Sequence, residues 1–413
     1  MNMAKEQEWK ELEAAVDQLG YSGKDFVSSM KKLYAVYTPD VVDWLAGIYD
    51  NASGGFYYSN SARDNSRFLP DMESTNQATN YLLSSGMAKS CDELPEFMKK
   101  KIISFCKSLQ SKEDGYIYHP QWGKSITDHR RGRDLMWAES MKKKFGFEYD
   151  YPTALERLES VGCTECKDDV PPMPEYLLDR ESFIKYLDSY DWEGDAYYSG
   201  NAIAAQTPQI KAAGLGDTVI DYLNAKQDKQ RGLWGKADGY AAVNAYLKIS
   251  DVYRRLDRVI PNTDKAVGTI IDCIVSDEPT QSVCWQYNTW FSIANIIISL
   301  RKSGAEYEIT KIRQTLFSRS AEALEATARK VLTFKKNDGS FSYQPHRTSP
   351  TAQGAPVALE NTNEGDMNAT VICTGGIIEN VYKAFGLSKF EVPLFGKPEL
   401  ERFISQIQRK ENI

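Results

Sequence analysis

The stretch Ser108-Leu109-Gln110-Ser111-Lys112-Glu113-Asp114-Gly115-Tyr116-Ile117-Tyr118 decides how this chain is read. It closes an apolar segment, Phe97 to Leu109 (FMKKKIISFCKSL), whose hydrophobic residues return at steps of three and four, the period of an amphipathic helix. Glycine then ends the helix in a left-handed conformation, and the aromatic residues fold back over the hairpin end. The same order of events recurs at Gly54-Gly55-Phe56-Tyr57-Tyr58, at Arg231-Gly232-Leu233-Trp234-Gly235 and at Asp338-Gly339-Ser340-Phe341-Ser342-Tyr343. The intervals, roughly 50 to 60 residues or about twice that, suit paired helices in a repeat array. Degenerate copies at Trp192 to Tyr198 and Asp277 to Trp290 bring the expectation to about six helical hairpins. Helical periodicity also runs through Asn76 to Leu83, Ala241 to Tyr253 and Phe291 to Leu300, while strand-type alternation is confined to a few residues beside the glycine turns. The expected class is all-α.

Composition narrows the function. With 42% hydrophobic and 26% charged residues the chain can bury a sizeable core, which argues against disorder. A net charge of −7 disfavours a general nucleic-acid binder, since no overall basic character is on hand to displace counterions. The first residues lack a signal-peptide pattern, and the longest apolar runs, such as Phe291 to Leu300, are too short to cross a bilayer. The expectation is a cytoplasmic protein without a membrane partner. Seven cysteines, an odd number, make no disulfide framework. The lone CxxC, Cys163 and Cys166, has no second pair at zinc-site spacing and reads as loop, and with only three histidines no metal or cofactor is expected. The segment around 161–175, containing DDVPPMP, reads as a long loop or a linker; because the repeat continues on both sides of it, residues 1–413 are expected to form one domain.

The Leu109-Gln110 to Asp114-Gly115-Tyr116 turn, and more loosely Gln227 to Trp234, resembles the hairpin turns of the terpenoid-cyclase and protein-prenyltransferase-like α/α toroids. The resemblance implies an α/α toroid. It carries no isoprenoid chemistry here, because neither the Asp-x-Asp-Asp motif of the cyclases nor a set resembling the prenyltransferase zinc ligands is present. The same toroid is the scaffold of many glycoside hydrolases and polysaccharide lyases, and a shared fold does not choose among them.

The first and last repeats each place a Glu-x-Thr-Asn pattern ahead of a helix: Asp71-Met72-Glu73-Ser74-Thr75-Asn76 and Glu360-Asn361-Thr362-Asn363-Glu364-Gly365-Asp366. In a closed ring these helix mouths are neighbours, and Glu73 with Glu360 then form the carboxylate pair that glycosidic hydrolysis needs, with Asp71, Glu364 and Asp366 as alternates and Asn363 as a substrate contact. Each acid taken singly is also a good helix cap. A second cluster, Thr127-Asp128-His129-Arg130-Arg131-Gly132-Arg133-Asp134, either holds an anionic group such as a uronate or forms a solvated loop. With Tyr118 and His119 nearby in sequence, it is the equipment of an elimination. Trp234 and other tryptophans are candidate sugar-stacking faces or ordinary core. The leading expectation is therefore a glycoside hydrolase acting on an oligosaccharide. A lyase for uronate-containing sugars and a non-catalytic ligand- or partner-binding toroid stand beside it, and the oligomeric state is open.

Overall fold

The computed structural model describes residues 3–161 and 174–411, and Cys163 and Cys166 lie outside the described residues. Helix accounts for 61% of the structure and strand for 5%, so the protein is all-α. Among the described residues the one strand pairing beyond single bridges is a short antiparallel hairpin, Thr351–Ala352 with Ala355–Pro356. No helix among them is long and apolar enough to cross a membrane.

The chain divides into two compact units, each assembled from three segments. The first comprises 1–35, 171–331 and 377–392. Its helices Ala196–Ala205, Gly239–Arg255, Val283–Lys302 and Ile377–Phe385 pack side by side in succession. Thr263–Val275 and Glu306–Ser318 pair with each other behind them. The aromatic faces of Phe26, Phe317 and Phe385 meet in its core, and Trp234 is buried there between Tyr246 and Tyr253.

The second unit comprises 36–170, 332–376 and 393–413. Its helix Met72–Ser84 packs against both Asp128–Phe145 and Met367–Val371, and Lys397–Glu411 lies along Asp40–Gly47, where Arg402 pairs with Asp43. The chain's last helix thus closes onto one of its earliest, burying apolar residues such as Phe403 and Ile407 that an open end would leave in water.

All four glycine turns form as the sequence indicates. Gly54, Gly115, Gly232 and Gly339 have φ between +72° and +87°, and each turn is closed by an antiparallel bridge: Tyr49 to Phe56, Gln110 to Ile117, Asp228 to Leu233 and Lys335 to Phe341. There is a second reason for glycine. A Cβ on Gly115, Gly232 or Gly339 would stand 2.4 to 2.5 Å from backbone of Pro152, Ala266 or Val41, so each turn docks directly on the start of another helix.

We expect Gly232→Ala to lose about 2–4 kcal/mol of unfolding free energy, because left-handed strain of roughly 1–2 kcal/mol is joined by a backbone clash. Gly214→Ala is the control. Its φ of +72° brings the same strain, but nothing lies within 4 Å of the added methyl, so about 1–2 kcal/mol is expected. Equal losses in denaturant titrations of the two variants would contradict the docking argument.

Candidate functional site

The second unit carries a buried ionic cluster at the mouth of the 72–84 helix. Asp71 caps that helix, accepting from the backbone N–H of Ser74 at 2.9 Å and from its hydroxyl at 2.9 Å. Glu73 follows inside the first turn. Both are 1% exposed, and burying two carboxylates needs a compensating charge. Arg130, 0% exposed, supplies it. Its Nη2 donates to Asp71 Oδ1 at 3.0 Å, its Nη1 stands 3.3 Å from Glu73 Oε2, and its Nε faces both oxygens of Asp134 at 2.9 and 3.0 Å. Nη1 also donates to the carbonyl of Ala352 at 2.8 Å, which ties the 351–356 hairpin to the cluster. Arg133, part exposed, approaches Glu73 Oε1 at 3.7 Å, and Gln77 Nε2 bridges Glu73 Oε1 at 3.4 Å and Asn368 Oδ1 at 3.1 Å.

Three carboxylates share one fully buried guanidinium, and for Glu73 and Asp134 burial outweighs it. Burial raises the Glu73 pKa, with Arg130 opposing, and drives Asp134 up to about 7 against the same arginine. Burial alone would lower the Arg130 pKa, but Asp71, Asp134 and Glu73 together hold it above its ordinary value. Burial also takes His119 down to about 4, so its ring is neutral at pH 7. His119 Nδ1 accepts from the Gln121 backbone N–H at 3.2 Å, which places the ring proton on Nε2. That Nε2 is 3.9 Å from Asp71 Oδ2, too far for a hydrogen bond, and neither it nor Glu73 Oε2 has a hydrogen-bond partner.

The same unit has an open groove of about 490 Å3, lined by residues close in sequence to the cluster rather than by the cluster itself. Gln121 and Trp122, two and three residues after His119, form one side, and Thr351 and Pro356 of the hairpin that Arg130 holds form another. Phe68 and Arg67 line it, Glu360 stands exposed in it, and Trp122 Nε1 donates to the Pro356 carbonyl at 2.8 Å, fixing the indole across the groove.

The repeat behind the proposed acid pair is real, with a corrected register. The residue in Asp71's place is Asp366, which caps Met367–Val371 by accepting from Ala369 N–H at 2.8 Å. Thr75 Oγ1 accepts from Phe56 N–H at 3.0 Å, and Thr370 Oγ1 accepts from Phe341 N–H at 3.0 Å. The two copies therefore align as Asp71-Met72-x-x-Thr75 and Asp366-Met367-x-x-Thr370, and Asn368 stands opposite Glu73. Glu360 sits in the preceding loop, not at the helix mouth. The copies do touch: Ser59 bridges to Asp366, and Tyr58 OH donates to Asp366 Oδ1 at 3.1 Å. Glu364 is committed to Ser59 Oγ and to the Ser61 backbone N–H, both at 2.9 Å.

The run 128–134 is likewise not a loop. Thr127 caps a helix that begins at Asp128, with its hydroxyl accepting from Arg130 N–H at 3.2 Å, and Arg130 and Asp134 pair one turn apart inside it. The side chain of His129 lies outside the described residues. Tyr118 OH donates to Asp114 Oδ2 at 2.7 Å and also interacts with Arg131, whose guanidinium lies over the ring of Tyr116 at 4.9 Å, while His119 turns into the buried cluster. Trp234 is core, 1% exposed, with its indole N–H on the Leu223 carbonyl at 2.8 Å, and no sugar can stack on it. Asn363 is exposed beside His346 in a separate polar recess, where it accepts from Lys336 Nζ at 2.6 Å. Asp134 and Gln121 were missed as partners. A helical i, i+4 Arg-Asp pair was the available signal for the first; for Gln121 there was none.

Among the described residues no group of three or more His, Cys, Asp or Glu side chains is placed to hold a metal ion. Set against known proteins, the chain matches no family model, no curated protein and no solved structure.

The raised carboxyl groups give a signed pH dependence. Asp366 is fully buried and pushed up to about 7 by that burial. A carboxyl whose folded pKa exceeds its unfolded one makes a contribution that is whole below the unfolded value, near 4, and lost as pH rises through the folded value. We expect Asp366→Asn, which keeps an oxygen for the helix cap, to flatten the fall in unfolding free energy between about pH 4 and pH 7. A variant with an unchanged slope in denaturant titrations across that range would exclude Asp366 as a source of it.

Proposed function

We propose that this chain is a carbohydrate-active enzyme on an α/α toroid scaffold, a hydrolase that takes an oligosaccharide into the 490 Å3 groove of the second unit. One observation carries the reading: an aromatic-walled groove holds an exposed carboxylate, Glu360, and its Gln121, Trp122 and Thr351 walls belong to the segments that carry His119 and Ala352 into a cluster where Glu73 Oε2 and His119 Nε2 are buried without hydrogen-bond partners. Trp122 and Phe68 offer the apolar faces that sugar rings stack on, and Arg67 and Gln121 offer donors for hydroxyls. Glu73, raised by burial, is suited to hold the proton for the leaving group, and Glu360, in contact with solvent, to activate water. The side-by-side packing of successive helices within the first unit, and of Lys397–Glu411 on Asp40–Gly47 within the second, is in keeping with a helical-hairpin repeat.

The test is incubation of the protein with a panel of neutral and uronate-containing oligosaccharides, following new reducing ends and the absorbance of unsaturated products together. New reducing ends without absorbance are expected. Absorbance would replace hydrolysis with elimination, and turnover of no member of the panel would leave a binding role for the groove and remove the catalytic one.

A further inference from the structure

The first unit has a cavity that the proposed chemistry leaves unused. About 520 Å3 opens between the end of Gly239–Arg255, the turn that follows it and the middle of Val283–Lys302. Its walls are Phe291, Ile298 and Val259, and the last two are 36% and 46% exposed, apolar surface that folding has left uncovered. Asn295 lies between them on the same helix. It is 7% exposed, it lines the cavity, and its amide makes no hydrogen bond to the protein. An amide at the cavity wall that is given no hydrogen bond by the described residues offers a ligand both a donor and an acceptor. The rim adds charge. Arg258 is held by Asp217 at 2.7 Å, whereas Lys302 pairs only loosely with Asp257, another residue of the lining, at 3.9 Å and keeps 66% of its side chain in solvent, where an incoming anion can compete for it.

We infer that this cavity is a second binding site, for a small amphipathic carboxylate whose apolar body lies against Phe291 and Ile298, whose polar atoms reach the Asn295 amide, and whose charge meets Lys302. The volume suits this class, since pockets for small molecules span roughly 300 to 1,000 Å3, are mostly apolar and carry a few placed polar groups. The inference is independent of the oligosaccharide reading, and its readout is binding.

Decanoate, below its aggregation concentration, is the probe, with decanol as the uncharged match, and isothermal titration of the whole protein is the measurement. Decanoate should bind saturably at one site, and at least about fivefold more tightly than decanol, a ratio worth about 1 kcal/mol. Ile298→Trp fills the cavity from a part-exposed position and should weaken decanoate at least tenfold. Lys302→Glu should abolish the preference over decanol. Neither position is core, and circular dichroism of each variant confirms that the fold is kept. Absence of saturable binding to the parent protein, or binding undiminished in Ile298→Trp, would overturn the site. Equal affinity for decanol would overturn the carboxylate class.

Discussion

Arg130→Met should cost about 3–5 kcal/mol of unfolding free energy at pH 7, among the largest losses available to a single substitution here, because removing one partner of a buried ionic network strands the others. The guanidinium makes close contacts with Asp71, Glu73 and Asp134 and also holds the Ala352 carbonyl. Methionine fills much of the volume and returns none of them. The size of the loss identifies its origin through the partner variant. Asp134 is paired to Arg130 through both carboxylate oxygens, so Arg130→Met with Asp134→Leu should be less destabilised than the sum of the two single changes, with a coupling of about 1–3 kcal/mol. Acid should narrow the gap between Arg130→Met and the parent, since protonated carboxyls no longer need the cation. Denaturant titration of the four proteins at pH 7 and at pH 5 measures all of this. Additive effects, or a loss below about 1 kcal/mol, would mean that the cluster holds the hairpin by packing alone.

How much of this was readable in advance depends on how local each signal is. Gly115 and Gly232 announce themselves because a left-handed turn after an amphipathic run favours glycine whatever surrounds it. The helices over Phe97 to Leu109 and Phe291 to Leu300 follow from periodicity in the same way. The register of the internal repeat does not. The first copy runs from Phe56 to Asp71 in 15 residues and the last from Phe341 to Asp366 in 25, so matching Glu-x-Thr-Asn against Glu-x-Thr-Asn aligns positions that are not equivalent in the fold. The equivalence that matters, Thr75 with Thr370, rests on bonds to Phe56 and Phe341 that span 19 and 29 residues. Arg130 was obscured for a related reason. A run of three arginines, a histidine and two aspartates looks solvated, and its burial is created by acids nearly 60 residues away, at the mouth of the 72–84 helix.

Glu73→Gln and Glu360→Gln should each leave the protein folded while reducing turnover of the oligosaccharide substrate by about a hundred- to ten-thousandfold, the usual loss when a general acid or base is removed. For Glu360 the structural cost is small because the side chain is exposed in the groove. For Glu73 the argument runs through protonation. Burial raises its pKa despite Arg130, so the pocket favours the neutral form relative to water, and an amide is the nearest neutral mimic in shape. Its oxygen can still accept from Gln77 Nε2, which now bonds Glu73 Oε1 at 3.4 Å. A stability change of about 1 kcal/mol or less is therefore expected, since the helix cap is Asp71 and stays in place. Glu364→Gln is the counterpart: its carboxylate is tied to Ser59 and Ser61, so a loss of stability without a comparable loss of turnover is expected. The pH profile separates the two roles further. A proton donor at position 73 gives a limb on the alkaline side, where activity falls as the raised carboxyl ionises, and Glu73→Gln should remove that limb from whatever activity remains. Near-parental turnover by both amide variants would exclude the pair from the chemistry. Loss in Glu360→Gln alone would leave the groove carboxylate catalytic and return Glu73 to the ionic support of Arg130.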